Sequence, residues 1–461
     1  MKKSQQKFPM AGANEKTPSK AMYFSWINHA WEGANEPCTV ASLNFFQWLH
    51  DEYGMKLDIY LLDAGTIDGL QVYGTTDSAG YHERFPRGLK PMVPQAAGFG
   101  SRLGMWMGPD GFGTTAKEEK ARRDMIVAVA RDHDMALFKF DGCCGNLRDD
   151  RSDSFARMMT EVRQHCPDLI ALNHRINLDA NALKQMTTWL WQGVETYIDV
   201  HIGNSVTAPH NRAAAMSRGL PPELSRLTED HGVCLSSCLD YWEDDLVLQA
   251  FNRCLILAPE IYGNPWLLRD DEMPRLARLF NLHRRYRDIL VNGMELPATY
   301  GPNAVSRGDA GTRMVTLTNL SWKAKTYTIE LGGEIGLTDR RPVTVRQFHP
   351  GEKALGTFAY GSHVKVVVPA FRSCLVLATV KCIEEPGVVG GTFEVVRDVP
   401  GRPVELKLLG LPGTKAKIRL PKDGPQFAKA VLDGKNAAKI LAGGSIDVTF
   451  PGRALKKPWR R

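Results

Sequence analysis

The segment Ala136-Leu-Phe-Lys-Phe-Asp-Gly-Cys-Cys144 joins a buried-strand pattern to a reactive group. An apolar run stops on a lone carboxylate, Asp141, with Lys139 two residues before it and a glycine directly after. A carboxylate in that position must be solvated, paired or used. Polar residues also end the other strand-like runs: Trp26 and His29, Asp63, Trp106 and Asp110, His174 and Arg175, Asp199 and His201, Asp240 and Trp242, and Glu260. Carboxylates serve as nucleophile, acid/base and hydroxyl acceptor, and indole faces stack on the C–H faces of pyranose rings. A rim of this composition suits a sugar.

Positioning such a rim requires a repeated element. From about residue 20 to 290 short β-like runs alternate with helical patterns, which predicts a parallel sheet with helices outside it. The expected strands are eight: 22–29, 57–64, 103–107, 136–141, 169–175, 194–201, 233–240 and 255–262. Between them, Phe155, Met158, Met159 and Val162 fall on one helical face, as do Leu276, Leu279 and Phe280. Eight β–α units in about 270 residues fit a (β/α)8 TIM barrel, whose typical length is about 250, with catalytic groups at the C-terminal ends of its strands. A doubly wound sheet is disfavoured, because the first turn, Asn28-His-Ala-Trp-Glu-Gly33, has neither a dinucleotide nor a P-loop pattern.

After residue 292 the texture becomes that of strands and Gly, Pro and Asp turns. The runs starting at Met314, Thr326, Val343, His363 and Ser373 predict an antiparallel β-sandwich. The expected organisation is a flexible segment 1–20, a catalytic barrel 21–292, a β-sandwich 293–382, a linker 383–391, a small β-module 392–455 and a basic tail 456–461.

The whole chain has 461 residues, 43% hydrophobic and 24% charged, as in a globular protein with ample core. No apolar run approaches the roughly 20 residues that cross a membrane, and the first residues lack the apolar stretch of a signal peptide. A cytoplasmic location is expected for the sequence as given, and a secreted or periplasmic one if it is a piece of a longer chain. The net charge of +7 is modest, and the tail Lys456-Lys-Pro-Trp-Arg-Arg461 reads as a solvated end rather than a nucleic-acid contact. Nine cysteines, none at zinc-finger spacing, read as reduced thiols. The expected partner is a glycoside or oligosaccharide, with no nucleic acid, no membrane, and no metal or organic cofactor.

Three motifs occur in a telling order: Phe85-Pro-Arg-Gly-Leu-Lys90, Gly104-Met-Trp-Met-Gly-Pro-Asp110 and Phe138-Lys-Phe-Asp141. With Glu260-Ile-Tyr-Gly-Asn-Pro-Trp-Leu-Leu268 and the helix ending Arg284-Arg-Tyr-Arg-Asp-Ile-Leu290, the chain resembles the melibiase-like α-galactosidases of glycoside hydrolase clan D over roughly residues 20 to 380. The resemblance implies a barrel followed by a β-sandwich, and a retaining exo-α-glycosidase with Asp141 as nucleophile. It implies an acid/base at the end of the sixth strand, where Asp199 is preferred and Glu195 is the fallback. It further implies sugar-binding roles for Asp63, Lys139 and Arg175; Trp26 and Trp106 read equally as core or as stacking platform. The sequence departs from the family where D-D-G-W has become Asp63-Ala-Gly-Thr66 and a glycine-rich loop has become Asn173-His-Arg-Ile176. These changes touch sugar recognition more than the nucleophile motif. They keep open a barrel that has lost catalysis and only binds carbohydrate, and a transglycosylase. A Cys143 or Cys144 nucleophile paired with His174 is the remaining alternative, against which the surrounding carboxylates argue.

Overall fold

A computed structural model describes residues 11–69, 73–109, 115–190, 216, 220–229, 232–235, 241–422 and 424–453. The chain divides into two compact units, one of residues 1–51, 55–269 and 279–291, the other of residues 52–54, 270–278 and 292–461.

The first unit is built on a seven-stranded parallel sheet: β1 (Lys20–Phe24), β2 (Ile59–Leu62), β3 (Arg102–Met107), β4 (Leu137–Asp141), β5 (Ile170–His174), β6 (Val233–Cys234) and β7 (Leu257–Tyr262), in the order β5-β4-β3-β2-β1-β7-β6. The strands are buried along their lengths, as expected of a parallel sheet covered on both faces. Helices α1 (Glu36–Tyr53), α2 (Ala79–Arg84), α3 (Met92–Gly98), α4 (Ala116–His133), α5 (Ser152–His165), α6 (Ala180–Leu183) and α7 (Trp242–Val247) lie between strands in sequence. The clearest amphipathic pattern is in α5, which buries Phe155, Met158, Met159 and Val162 at helical spacing. At the start of α4, Thr115 and Glu118 form a reciprocal capping box, and the helix stops at Asp134, whose left-handed backbone (φ 47°) ends the run.

Eight strands are expected from the sequence, and seven are found among the described residues. The expected sixth, 194–201, lies outside the described residues. Backbone hydrogen bonds nonetheless run from one sheet edge towards the other: Thr187 N–H to Ala171 O at 2.8 Å, Trp189 N–H to Leu227 O at 2.8 Å, Glu229 N–H to Trp189 O at 3.1 Å, and Ile256 N–H to Arg226 O at 2.7 Å. Residues 187–189 and 226–229 thus take up part of the gap between β5 and β7.

The register decides which side chains share the inner face. Phe24 pairs with Leu61, Leu61 with Gly104, and Gly104 with Leu137; Trp106 pairs with Lys139, and Asp141 with His174. Because side chains alternate along a strand, Phe24, Leu61, Trp106, Lys139, Asp141 and His174 all lie on one face. Met22, Phe24, Ile59, Leu61, Leu137, Ile170, Leu172 and Tyr262 form the apolar cluster on that face, and the polar members lie nearer the C-terminal ends of the strands.

The second unit is antiparallel. A six-stranded sheet is formed by β8 (Gly293–Glu295), β9 (Val305–Gly308), β10 (Thr312–Thr318), β12 (Val343–His349), β13 (Lys353–Phe358) and β15 (Ser373–Thr379), and a two-stranded ribbon by β11 (Lys325–Glu330) and β14 (His363–Val368). In β14, Val364, Val366 and Val368 turn inward while His363, Lys365 and Val367 are exposed, a half-buried strand. Their shared core includes Val315, Leu317, Ile329, Val345, Val366 and Val376. Three further ribbons pair β16 (Thr392–Arg397) with β17 (Glu405–Leu409), β18 (Lys415–Ile418) with β21 (Ile446–Thr449), and β19 (Val431–Leu432) with β20 (Lys435–Asn436). These enclose a small cluster of Val388, Phe393, Val395, Ile418 and Val448. No described helix of either unit is long and apolar enough to cross a membrane.

Candidate active site

Asp141 is the last residue of β4 and is 6% exposed. Three groups hold its carboxylate. The indole Nε1–H of Trp106 donates to Oδ2 at 3.0 Å, the amide of Cys143 donates to Oδ1 at 2.8 Å, and an Arg175 Nη2 lies 3.5 Å from Oδ1. Burial by itself would raise the carboxyl's pKa. His174, Lys139, the Cys143 amide and the Trp106 indole together outweigh it and hold the group below the usual carboxylate range. Asp141 is therefore an ionised, oriented carboxylate at the C-terminal end of a parallel strand.

The backbone around it is shaped for close approach. Arg175 has φ +62°, a left-handed conformation uncommon outside glycine, and this turns a residue that would follow His174 onto the opposite face back towards Asp141. The turn is closed by the Asn173 side chain, which accepts from Ile176 N–H at 2.9 Å and donates to Ile176 O at 3.2 Å. Gly142 lies so near this turn that a Cβ there would stand 2.4 Å from Arg175 O. Only glycine permits the two strand ends to come together.

Asp63, just beyond β2, is buried, and its environment differs from that of Asp141. Its Oδ1 accepts from the Ala64 amide at 2.7 Å, and its own N–H donates to Ser25 Oγ at 2.9 Å. Lys139 Nζ lies 3.5 Å from its Oδ2 and 4.7 Å from the centre of the Phe24 ring. Burial raises the Asp63 pKa, with Asp141 adding to the rise, and Lys139, the Ala64 amide and His174 offset it only in part. Two carboxylates on one side of the sheet are thus pushed in opposite directions, a pattern typical of functional sites.

Trp106 is buried, so its ring is no exposed sugar platform, and its N–H is committed to Asp141. Trp26 is half-buried against the inner apolar cluster, its ring 6.3 Å from that of Trp31 in an edge arrangement. Its Nε1 is buried without a hydrogen-bond partner among the described residues. His29 is half-buried, its pKa lowered by burial, with its ring 5.8 Å from that of Trp266. Trp242 is buried at the start of α7, and Glu260 is buried on β7, level with Met22 of β1. Asp110, Glu195, Asp199, His201 and Asp240 lie outside the described residues.

Cys143 and Cys144 follow directly, their sulfurs 4.0 Å apart. The hydrogen bond with Cys144, burial and the Asp141 charge all push the Cys143 thiol up, so it is a protonated, weak nucleophile. Cys143 acts in the site through its backbone amide.

A buried ion pair stands beside the site. Asp68, fully buried, pairs with Arg122 of α4 (Nη1 to Oδ1, 2.9 Å), and its carboxylate also accepts from the amides of Gly74 at 2.8 Å and Gly108 at 3.1 Å. Gly108 follows β3, so this pair fastens the segment after β2 to the end of the strand that carries Trp106. The sequence carries its signal: Arg122 lies on the helix face that buries Met125, Ile126 and Val129. A charge in line with apolar residues calls for a buried partner.

No protein-family model matches the sequence, and no curated protein matches it. Solved structures do. The chain is similar to α-galactosidase I from Mortierella vinacea, with a TM-score of 0.52 and 14% identity over 79% of this chain and 97% of that one. It is similar to an α-galactosidase of glycoside hydrolase family 36 from Geobacillus stearothermophilus in complex with raffinose, with a TM-score of 0.52 and 11% identity over 79% of this chain and 56% of that one. A family 27 β-L-arabinopyranosidase from the same organism, in complex with arabinose, gives a TM-score of 0.50 and 12% identity over 79% of this chain and 97% of that one. At these identities the likeness is one of fold: a parallel α/β unit followed by a β-rich one, shared with α-galactosidases.

Proposed function

We propose that the chain is a retaining exo-α-glycosidase acting on α-galactoside-like substrates. The observation that carries this reading is Asp141, a carboxylate kept ionised and aimed by the Trp106 indole and the Cys143 amide at the C-terminal end of a parallel strand. The fold shared with α-galactosidases supports it.

In the proposed reaction an Asp141 oxygen attacks the anomeric carbon while the bond to the leaving oxygen breaks and that oxygen takes a proton from the acid/base. Water, deprotonated by the same group, then releases the sugar and returns Asp141 as a carboxylate. We assign the acid/base to Asp199, with Glu195 as the other candidate; retention requires the two carboxyl groups about 5–5.5 Å apart. Asp63, Lys139 and Arg175 would contact sugar hydroxyls, and no cofactor is called for. Residues 21–292 would complete an eight-stranded barrel, and 293–382 its β-sandwich.

The test is purified protein on a panel of aryl α-glycosides, α-galactoside and α-N-acetylgalactosaminide included, beside Asp141→Asn. Turnover abolished by the substitution supports the reading. Sugar binding by folded protein with no turnover of any member overturns it in favour of a binding barrel.

A further inference from the structure

The positive charge of this chain is unevenly placed. Residues 392–461 carry 15 Lys and Arg against 6 Asp and Glu, while the remainder carries 43 against 45. The excess therefore resides in the small β-module 392–455, with 11 Lys and Arg against 6 Asp and Glu, and in the tail 456–461, with four more cations and no carboxylate. Within the module, the run Lys415–Leu420, made of strand β18, Arg419 bridged to Val389, and Leu420, alternates with period two. Ala416, Ile418 and Leu420 pack on the module's small core, whereas Lys415, Lys417 and Arg419 are exposed on the other face. Alternate residues of a strand are about 6.6–6.8 Å apart, so the three form a straight row of cations. Lys422, Lys435 and Lys439 are exposed nearby in sequence. None of these six cations has an ion-pair partner among the described residues. Asp447 lies across the ribbon from Lys417 and is exposed, yet the two form no ion pair. Elsewhere in the second unit several arginines are held by carboxylates, as Arg278 is by Glu352 at 2.7 Å.

We propose that this module is a docking surface for an acidic polysaccharide, bound along the row Lys415, Lys417 and Arg419. A single line of point charges matches a narrow linear polyanion and concentrates it at the surface. The described aromatic residues of the module, Phe393, Phe427 and Phe450, are not exposed, so the described residues offer no platform on which nucleic-acid bases or neutral sugars could stack. Leu411 and Val431 are exposed singly, which is ordinary for a surface and too little apolar area for membrane insertion. The preference for a glycan among linear polyanions rests on the glycosidase reading, but binding is measured without catalysis, so the two fail separately.

The experiment is binding of the full chain to polygalacturonate and to dextran sulfate, with neutral dextran, duplex DNA and phosphatidylserine vesicles in parallel. Retention on an acidic polysaccharide at low salt is expected, falling steeply as the Debye length shrinks from roughly 10 Å at 0.1 M salt to 3 Å at 1 M. The variant K415E/K417E/R419E should bind at least about tenfold more weakly and D447N more tightly, because like charges along the row are removed or an opposing one is lifted. Turnover of a small aryl glycoside should be unchanged in both. Equal binding to neutral dextran, tighter binding to DNA or vesicles, or unchanged binding by the triple variant would overturn the proposal.

Discussion

Trp106 lies opposite Lys139 in the β3–β4 register, yet its indole N–H reaches past that partner to Oδ2 of Asp141 at 3.0 Å. One side chain of β3 thus fixes the orientation of the carboxylate two residues further along β4. A hydrogen bond to a charged group contributes about 1.5–3 kcal/mol, and 1.36 kcal/mol is tenfold in rate. Trp106→Phe removes the donor and leaves part of the buried indole's space empty, so kcat should fall by about 10- to 100-fold and Tm should fall with it.

The charge around Asp141 predicts a pH dependence. Its folded pKa is depressed, so the ionised form that attack requires persists as pH falls and is lost only when pH drops through that depressed value. The stability it contributes has the same sign: present above the unfolded pKa, lost on acidification. Lys139→Met removes one of the cations responsible. The acid limb of kcat/KM should then move to higher pH by about one unit, equivalent to about 1.4 kcal/mol. A limb that stays put would show that Lys139 serves only Asp63.

Gly142→Ala tests the meeting of β4 and β5. A Cβ placed 2.4 Å from Arg175 O forces the turn apart, at a cost of about 1–3 kcal/mol. A lower Tm and a lower kcat are expected together, since the Cys143 amide and Arg175 both move away from Asp141.

The Asp68–Arg122 pair should behave as a buried structural clamp. Removing one partner leaves an uncompensated buried charge, at about 3–5 kcal/mol. Asp68→Asn should therefore lower Tm strongly, and Asp68→Asn combined with Arg122→Met should recover part of the loss. A double variant as unstable as the sum of the two singles would contradict the coupling.

What could be read from the sequence was what periodicity writes there. The run ending at Asp141, the Asp63 strand end and the α5 face of Phe155, Met158, Met159 and Val162 each have a period of 2 or 3.6. The alternating strands of the second unit, such as β14, have one too. What could not be read depends on backbone shape and on contacts remote in sequence. The left-handed turn at Arg175 falls on a residue with no bias towards it, and the Cys143 amide acts through an atom every residue type has. Trp106 reads equally as core or platform, because a sequence reports an indole but not where its N–H points. The backbone bonding of 187–189 between the sheet edges has no period to announce it, and the expected sixth strand, 194–201, lies outside the described residues.

In the proposed mechanism Asp141 forms the covalent bond to the sugar. The most direct measurement is trapping with a slowly turned-over fluorinated α-galactoside, followed by peptide mapping by mass spectrometry. One glycosyl adduct is expected, on Asp141 and absent from Asp141→Asn. An adduct on any other residue, or turnover that survives Asp141→Asn, would contradict that mechanism.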